Sequence, residues 1–206
     1  LFETDLRLRP NGDSGLLAVS VDSFRDYQLK NAWVWEHQAL TRARFCAGDP
    51  AVGAHFEKIR CEILCQQRDL TTLRDEVVAM RQKMVDAHAS NSATEFDLKH
   101  DQGGIVDVEF IVQYLVLGYA SQHPSLTGNL GNIALLRMAA ELGLIEPQQA
   151  EAAGNAYREY RRLQHAKRLS ATPKARVPRE EIEKHIAAVN TLWQAVFGTA
   201  SAAARP

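Results

Sequence analysis

Read as a strand, the opening stretch LFETDLRLRP sorts Glu3, Asp5, Arg7 and Arg9 onto one face and Phe2, Thr4, Leu6 and Leu8 onto the other. Two acids and two arginines on one face could hold a metal ion and meet phosphate, since a guanidinium fork matches phosphate oxygens. The other reading is a solvated face on an edge strand. Arg7 and Arg9 carry the same choice, phosphate contact or ion pairing with Glu3 or Asp5. The stretch alone leaves both open.

A second candidate is KHDQGGIVDVEFIVQYLVL. Gly103 and Gly104 free the backbone just before a helix, so N–H groups there are expected to be available to an anion. Asp107 falls in the first turn, where the helix dipole favours an acid and no further role is needed. Glu109 and Gln113 share a face at i and i+4 on a helix that is otherwise almost wholly apolar. A buried carboxylate requires partners. Glu109 is therefore expected either to pair with an arginine of the β-containing piece, the favoured reading, or to line an active-site cleft.

Other residues carry less. Trp33 and Trp35 could stack on a base, but more often such side chains fill a seam between domains. Arg42 and Arg44 lean toward pairing with Glu36. Five cations crowd YREYRRLQHAKRLS, with Tyr157 and Tyr160 interleaved. Without a companion patch this reads as a solvated or protein-facing helix rather than a nucleic-acid surface. Cys46, Cys61 and Cys65 are too few for a disulfide framework and read as buried free thiols, which fits a reducing cytoplasm. The seven histidines show no metal-binding spacing and read as surface or capping residues.

The elements that must position these residues divide unevenly. LFETDLRLRP, the turn NGDSG and the run LLAVS read as a hairpin over positions 2–20. Asp22-Ser23 could cap a helix carrying Phe24, Tyr27 and Gln28. AWVWEHQALTRARF reads as a helix or as a helix running into a strand. From Pro50 onward everything reads helical, with apolar stripes at Val52, Phe56, Ile59 and Ile63 and at Leu70, Leu73, Val77, Met80 and Met84. Further helices are expected at about 129–143, 147–171 and 179–198. The result is a mainly α chain: a small β-containing piece, residues 1–49, followed by a bundle of about six helices, residues 50–206. A two-stranded hairpin is marginal alone, and the chain starts at Leu1 inside a strand pattern, so a fragment of a longer protein is expected.

Composition excludes several classes. At 206 residues with a formal charge of -1, there is no global basic field to suggest nucleic acid. The longest apolar run, Ile105 to Val112, is broken by Asp107 and Glu109, so no membrane span is expected.

Three stretches in order, ETDLRLRPNGDSGLL, AWVWEHQALTRARFCAGD and KHDQGGIVDVEFIVQYLVL, resemble the glutamine synthetase adenylyltransferases (glutamate–ammonia-ligase adenylyltransferases). The resemblance runs from Leu1 to about Phe197. It implies an enzyme with two nucleotidyltransferase domains of the polymerase-β type, each followed by a helical domain. One half attaches AMP from ATP to a tyrosine of glutamine synthetase and the other removes it by phosphorolysis. AWVWEHQALTRAR is closer to the adenylylating, carboxy-terminal half. The family also implies Mg²⁺ or Mn²⁺, and glutamine synthetase and a PII-type signalling protein as partners.

By this resemblance Asp5 occupies the place of the third metal-binding carboxylate, in the Asp-x-Arg-Leu-Arg-Pro motif, and Arg7 and Arg9 flank it as the candidates for phosphate contact. The Gly-Ser motif and the first two aspartates have no counterpart here. Asp13 lies in a turn and Asp22 at a cap, so neither substitutes. One ligand of three is present, and this chain alone is expected to be inactive. The alternatives are the deadenylylating half, or a helical module that binds glutamine synthetase or a PII-type protein.

Overall fold

The computed structural model describes residues 15–90, 92–170 and 174–198. The opening face with Asp5, Arg7 and Arg9, and the first strand of the expected hairpin, lie outside the described residues. The chain folds as two compact units, one within Leu1–Leu73 and Val116–Asn129, the other within Arg74–Leu115 and Leu130–Pro206.

In the first unit, helices α1 (Val21–Lys30) and α2 (Val34–Leu40) pack on α3 (Pro50–Leu64). Each start has a local cause. Ser20 Oγ accepts the Ser23 N–H at 3.1 Å and caps α1, two residues before the expected Asp22. Asp49 accepts the Ala51 N–H at 2.7 Å, and Pro50 follows in the first helical position, where its missing N–H costs nothing. Phe24 of α1 meets Phe56 of α3 with ring centroids 5.7 Å apart. At Gly53 the Phe45 ring lies 2.6 Å from where a Cβ would sit, so this position excludes any side chain.

Arg60 organises the rest of this unit. Its guanidinium is fully buried and donates to Ala43 O at 2.8 Å, to Thr127 O at 2.8 and 2.7 Å, and to Asn129 Oδ1 at 2.8 Å. Three backbone and amide oxygens thus satisfy one charge, with Glu57 3.4 Å away. The anchored residues belong to a short 3-10 turn, Pro124–Thr127, and the loop after it.

Helices α4 (Leu70–His88) and α5 (Ile105–Tyr119) contribute to both units. The nearly all-round apolar reading of α5 holds: Ile105, Val108, Ile111, Leu115 and Leu117 are all buried. The second unit adds α6 (Asn132–Glu141), α7 (Pro147–Leu169) and α8 (Glu183–Phe197). α7 packs against both α6 and α8. Its buried Ala150, Ala153, Gly154 and Ala156 keep that helix thin where neighbours approach.

Six helices, α3 to α8, follow Pro50, and the fold is mainly α as expected. The corrections lie in the β structure. LLAVS forms no strand, and its Leu16 and Leu17 are 74% and 69% exposed. The stretch after α2 turns rather than extending into a strand. Two strands appear instead inside the helical region, β1 (Glu95–Asp97) and β2 (Arg176–Pro178), antiparallel with Phe96 opposite Val177. Phe96 and Val177 are both buried, and the Phe96 ring centroid stands 6.1 Å from that of Tyr160 on α7. The last helix is preceded by a separate 3-10 turn, Arg179–Ile182. Among the described residues no helix is long and apolar enough to cross a membrane.

Candidate functional site

The stretch from Asp97 to Asp107 folds into a buried polar knot in the second unit. Asp97 Oδ1 accepts the backbone N–H groups of Lys99 and His100, at 2.9 and 3.0 Å. Asp101 Oδ2 accepts the Asp97 N–H at 2.9 Å, and its Oδ1 accepts that of Ser90. Asp107 pairs with Arg81 of α4 through Oδ1 and accepts the Gly103 N–H through Oδ2. Arg81 also donates to His100 O at 2.9 Å and Asp101 O at 3.3 Å. Tyr160, fully buried on α7, donates to Gly103 O at 2.9 Å. Three aspartates, one arginine and one tyrosine therefore hold the turn between β1 and α5, with Arg81 Nη1 buried and left without a hydrogen-bond partner.

This arrangement corrects two expectations. The N–H groups before α5 are not available to an external anion. Gly103 N–H is taken by Asp107, Gly104 N–H donates to Asp101 O at 3.0 Å and Ile105 N–H to Leu98 O at 2.9 Å. The helix supplies its own anion. Asp107 is also more than a first-turn acid interacting with a dipole, because it is 3% exposed and ion-paired with an equally buried Arg81. Burial pushes the Asp107 carboxyl above its ordinary value, while Arg81 and the Gly103 N–H hold that rise back. Gly103 has φ +87°, and a Cβ there would stand 2.9 Å from Ile186 Cγ2. Glycine is required for the turn that brings Asp107 back to its own helix start.

Glu109 is half-buried and accepts from Tyr157 Oη at 3.3 Å, which in turn accepts from Asn132 Nδ2 at 2.9 Å. Gln113, one turn on, is buried. Glu109, Gln113, Tyr157 and Asn132 form a polar strip across α5, α6 and α7, within the second unit. Of the arginines in residues 1–49, from which a partner for Glu109 is expected, Arg7 and Arg9 fall outside the described residues.

The remaining candidates resolve individually. Trp33 and Trp35 are exposed, as are Arg42 and Arg44. Glu36 does not pair with either arginine: it accepts from Tyr27 Oη and from the Trp33 N–H, both at 2.9 Å, closing the start of α2. His37 is neither surface nor capping. It is 6% exposed, with Nε2 3.0 Å from Gln28 O and Nδ1 3.1 Å from Arg68 Nη2. A carbonyl on one side and a guanidinium on the other define the Nε2–H tautomer of a neutral ring. Burial, then the Arg68 charge, hold its pKa below the ordinary value. The cysteines are free, but Cys46 is exposed and Cys61 and Cys65 only half-buried. Sequence reasoning missed Arg60 and Arg81, because an arginine on an amphipathic helix reads as solvated until its neighbours are known.

The described residues define a mainly α-helical protein. Residues 72–188 match the family described as GlnD PII-uridylyltransferase, and residues 1–59 the family described as Glutamate-ammonia ligase adenylyltransferase. The similar proteins include a "Bifunctional glutamine synthetase adenylyltransferase/adenylyl-removing enzyme" of Aromatoleum aromaticum, 62% identical over 97% of this chain and 21% of that protein. Proteins of the same description from Nitrosomonas europaea and Bordetella bronchiseptica are 55% and 56% identical, over 97% and 96% of this chain and 23% and 21% of theirs. This chain belongs to the glutamine synthetase adenylyltransferase family, its residues 72–188 to the GlnD PII-uridylyltransferase family. It spans about a fifth of the length of the curated relatives it matches.

Proposed function

We propose that residues 1–49 close a nucleotidyltransferase domain, and residues 50–206 form its helical domain, in an enzyme that transfers AMP from ATP to a tyrosine of glutamine synthetase. The observation that carries this reading is the match of residues 1–59, which includes Asp5, to an adenylyltransferase family. Divalent ions such as Mg²⁺ and Mn²⁺ take oxygen ligands, and the Asp5 carboxylate is the donor offered to one here. Asp97, Asp101 and Asp107 do not compete for that role, since they are spent on the knot. Among the described residues no group of three or more metal-ligating side chains gathers. When bound, the ion supplies Lewis acidity at the triphosphate. Asp5 would be this chain's ligand to it, and Arg7 and Arg9 would bind phosphate oxygens and orient the nucleotide.

With one carboxylate of three, this chain by itself is inactive. Incubated with labelled ATP, Mg²⁺ and glutamine synthetase it should leave no label on tyrosine above background. In the full-length parent, Asp5→Asn should lower adenylylation by at least about a hundredfold with unchanged melting, because the change removes charge but not shape. Metal-dependent labelling by the isolated chain, or near-normal turnover of the variant, would defeat the reading. The deadenylylating half would use the same site; the closeness of AWVWEHQALTRAR to the adenylylating half favours transfer over removal.

A second reading concerns the helical part. The match of residues 72–188 to a PII-uridylyltransferase family favours a surface there for a PII-type protein. Calorimetry of the chain against purified PII protein tests this, and absence of binding at high micromolar concentration would remove it.

A further inference from the structure

We propose that the cavity between the end of α4, the turn after β1 and the end of α7 binds a small phosphate-bearing polyanion of the pyrophosphate class. The cavity measures about 380 Å³. Four stretches of chain send cationic or titratable side chains to it: His88 ends α4, Lys99 and His100 follow β1, Arg168 lies in the last turn of α7, and Lys174 precedes β2.

The lining includes one carboxylate, that of Asp97, and it is already engaged. Asp97 is buried, and its Oδ1 takes the Lys99 and His100 N–H groups, with His100 Nδ1 3.4 Å away. Among the described residues no carboxylate lies within ion-pair distance of Lys99, Arg168 or Lys174. Three permanent cations therefore line one concavity against a single carboxylate, Asp97, which is already held by two backbone N–H groups. The dipole at the end of α7 accounts for Arg168. It accounts for neither Lys99 nor Lys174, which lie on other stretches.

Two histidines share this lining. The His88 and His100 rings stand 5.2 Å apart. Burial holds His100 below its ordinary value, Lys99 and His88 add to the depression, and Asp97 opposes it. An anion in the cavity relieves this crowding. Three fixed cations match the three or more negative charges of a diphosphate, and their separate origins suit an anion with several tetrahedral oxygens. A dicarboxylate brings two charges in two planar groups and fits less well.

The test is calorimetric titration of the 206-residue chain with sodium pyrophosphate at fixed ionic strength. EDTA is kept present so that a metal-assisted site involving Asp5 contributes nothing. The expected result is a dissociation constant below about 1 mM, with the imidazole resonances of His88 and His100 shifting and that of His55 unmoved. Arg168→Gln/Lys174→Gln, two exposed positions, should weaken binding at least about tenfold with unchanged melting. Lys58→Gln/Lys83→Gln removes the same charge outside the cavity and should weaken it less than about twofold. The proposal is overturned if no binding occurs at millimolar pyrophosphate. It is equally overturned if the control pair weakens binding as much as the cavity pair, or if succinate binds as tightly as pyrophosphate.

Discussion

Removing the Asp107 carboxylate leaves Arg81, 3% exposed, as an unpaired buried cation, and takes the acceptor from the Gly103 N–H. Asp107→Ala should therefore cost on the order of 3–5 kcal/mol, read as a lowered melting temperature without any substrate. Glu109 lies two positions along the same helix and is half-buried, with a long 3.3 Å bond from Tyr157. Glu109→Ala removes that bond without leaving Arg81 unpaired, and should melt higher than Asp107→Ala. If Glu109→Ala melts as low as Asp107→Ala, the assignment of the buried pair to Asp107 is wrong. The sequence ranked these two acids the other way, because a first-turn position offers a cheap explanation for Asp107 and an apolar neighbourhood singles out Glu109. Which acid meets Arg81 depends on where α4 passes, and no local pattern carries that.

At the scale of elements, Arg60 does for the 3-10 turn and its loop what regular hydrogen bonding does for a helix. The segment after Pro124 has no sheet or long helix to hold it, and its carbonyl at Thr127 depends on the guanidinium. Arg60→Met keeps the length and apolar stem while leaving Ala43 O and Thr127 O unpaired in a buried place. The cost should be about 3 kcal/mol, with amide protection of Leu126 and Gly128 falling more than that of Val189 in α8. Uniform loss across all three amides would mean that Arg60 holds no local structure. The β1–β2 pair makes the same point about elements. Three residues are too few for a period of two to register, and the partners are eighty residues apart in sequence.

For the whole molecule, the ionisation of buried histidine gives stability a definite pH dependence. His37 is neutral in the folded chain and its pKa is lowered, so the unfolded state binds the proton more readily, near the ordinary value of about 6.5. Stability is then full above that value and falls as pH drops below it, by up to about 1.4 kcal/mol per pH unit for one such group. His100 and His185 are also lowered, chiefly by burial, and act in the same direction. Asp107 acts oppositely: its raised pKa means that the folded state holds the proton more readily, which offsets part of the loss only near and below the carboxylate range. Melting measured from pH 8 to 5 should therefore decline below about 6.5. His37→Gln keeps a donor for Gln28 O and an acceptor for Arg68, and should flatten that decline. An unchanged slope in the variant would show that His37 does not titrate as a buried neutral group.

The sequence by itself determined the helices and the family, since apolar periodicity, proline and glycine boundaries and ordered motifs are local along the chain. Pro50 and Pro147 begin helices α3 and α7 where the pattern places them, and α5 is as buried as its nearly unbroken apolar run requires. It also pointed to KHDQGGIVDVEF as a place where polar groups matter. Only the tertiary structure decided what those groups do. Arg81, Asp107, Gly103 and Tyr160 come from α4, α5, the turn before it and α7, and the Gly103 backbone that looked open to an anion is closed by the chain's own carboxylate. The physical reason is that the energetic consequence of a charge is set by its desolvation and by the partner that meets it. Both are properties of packing between distant segments rather than of spacing within one.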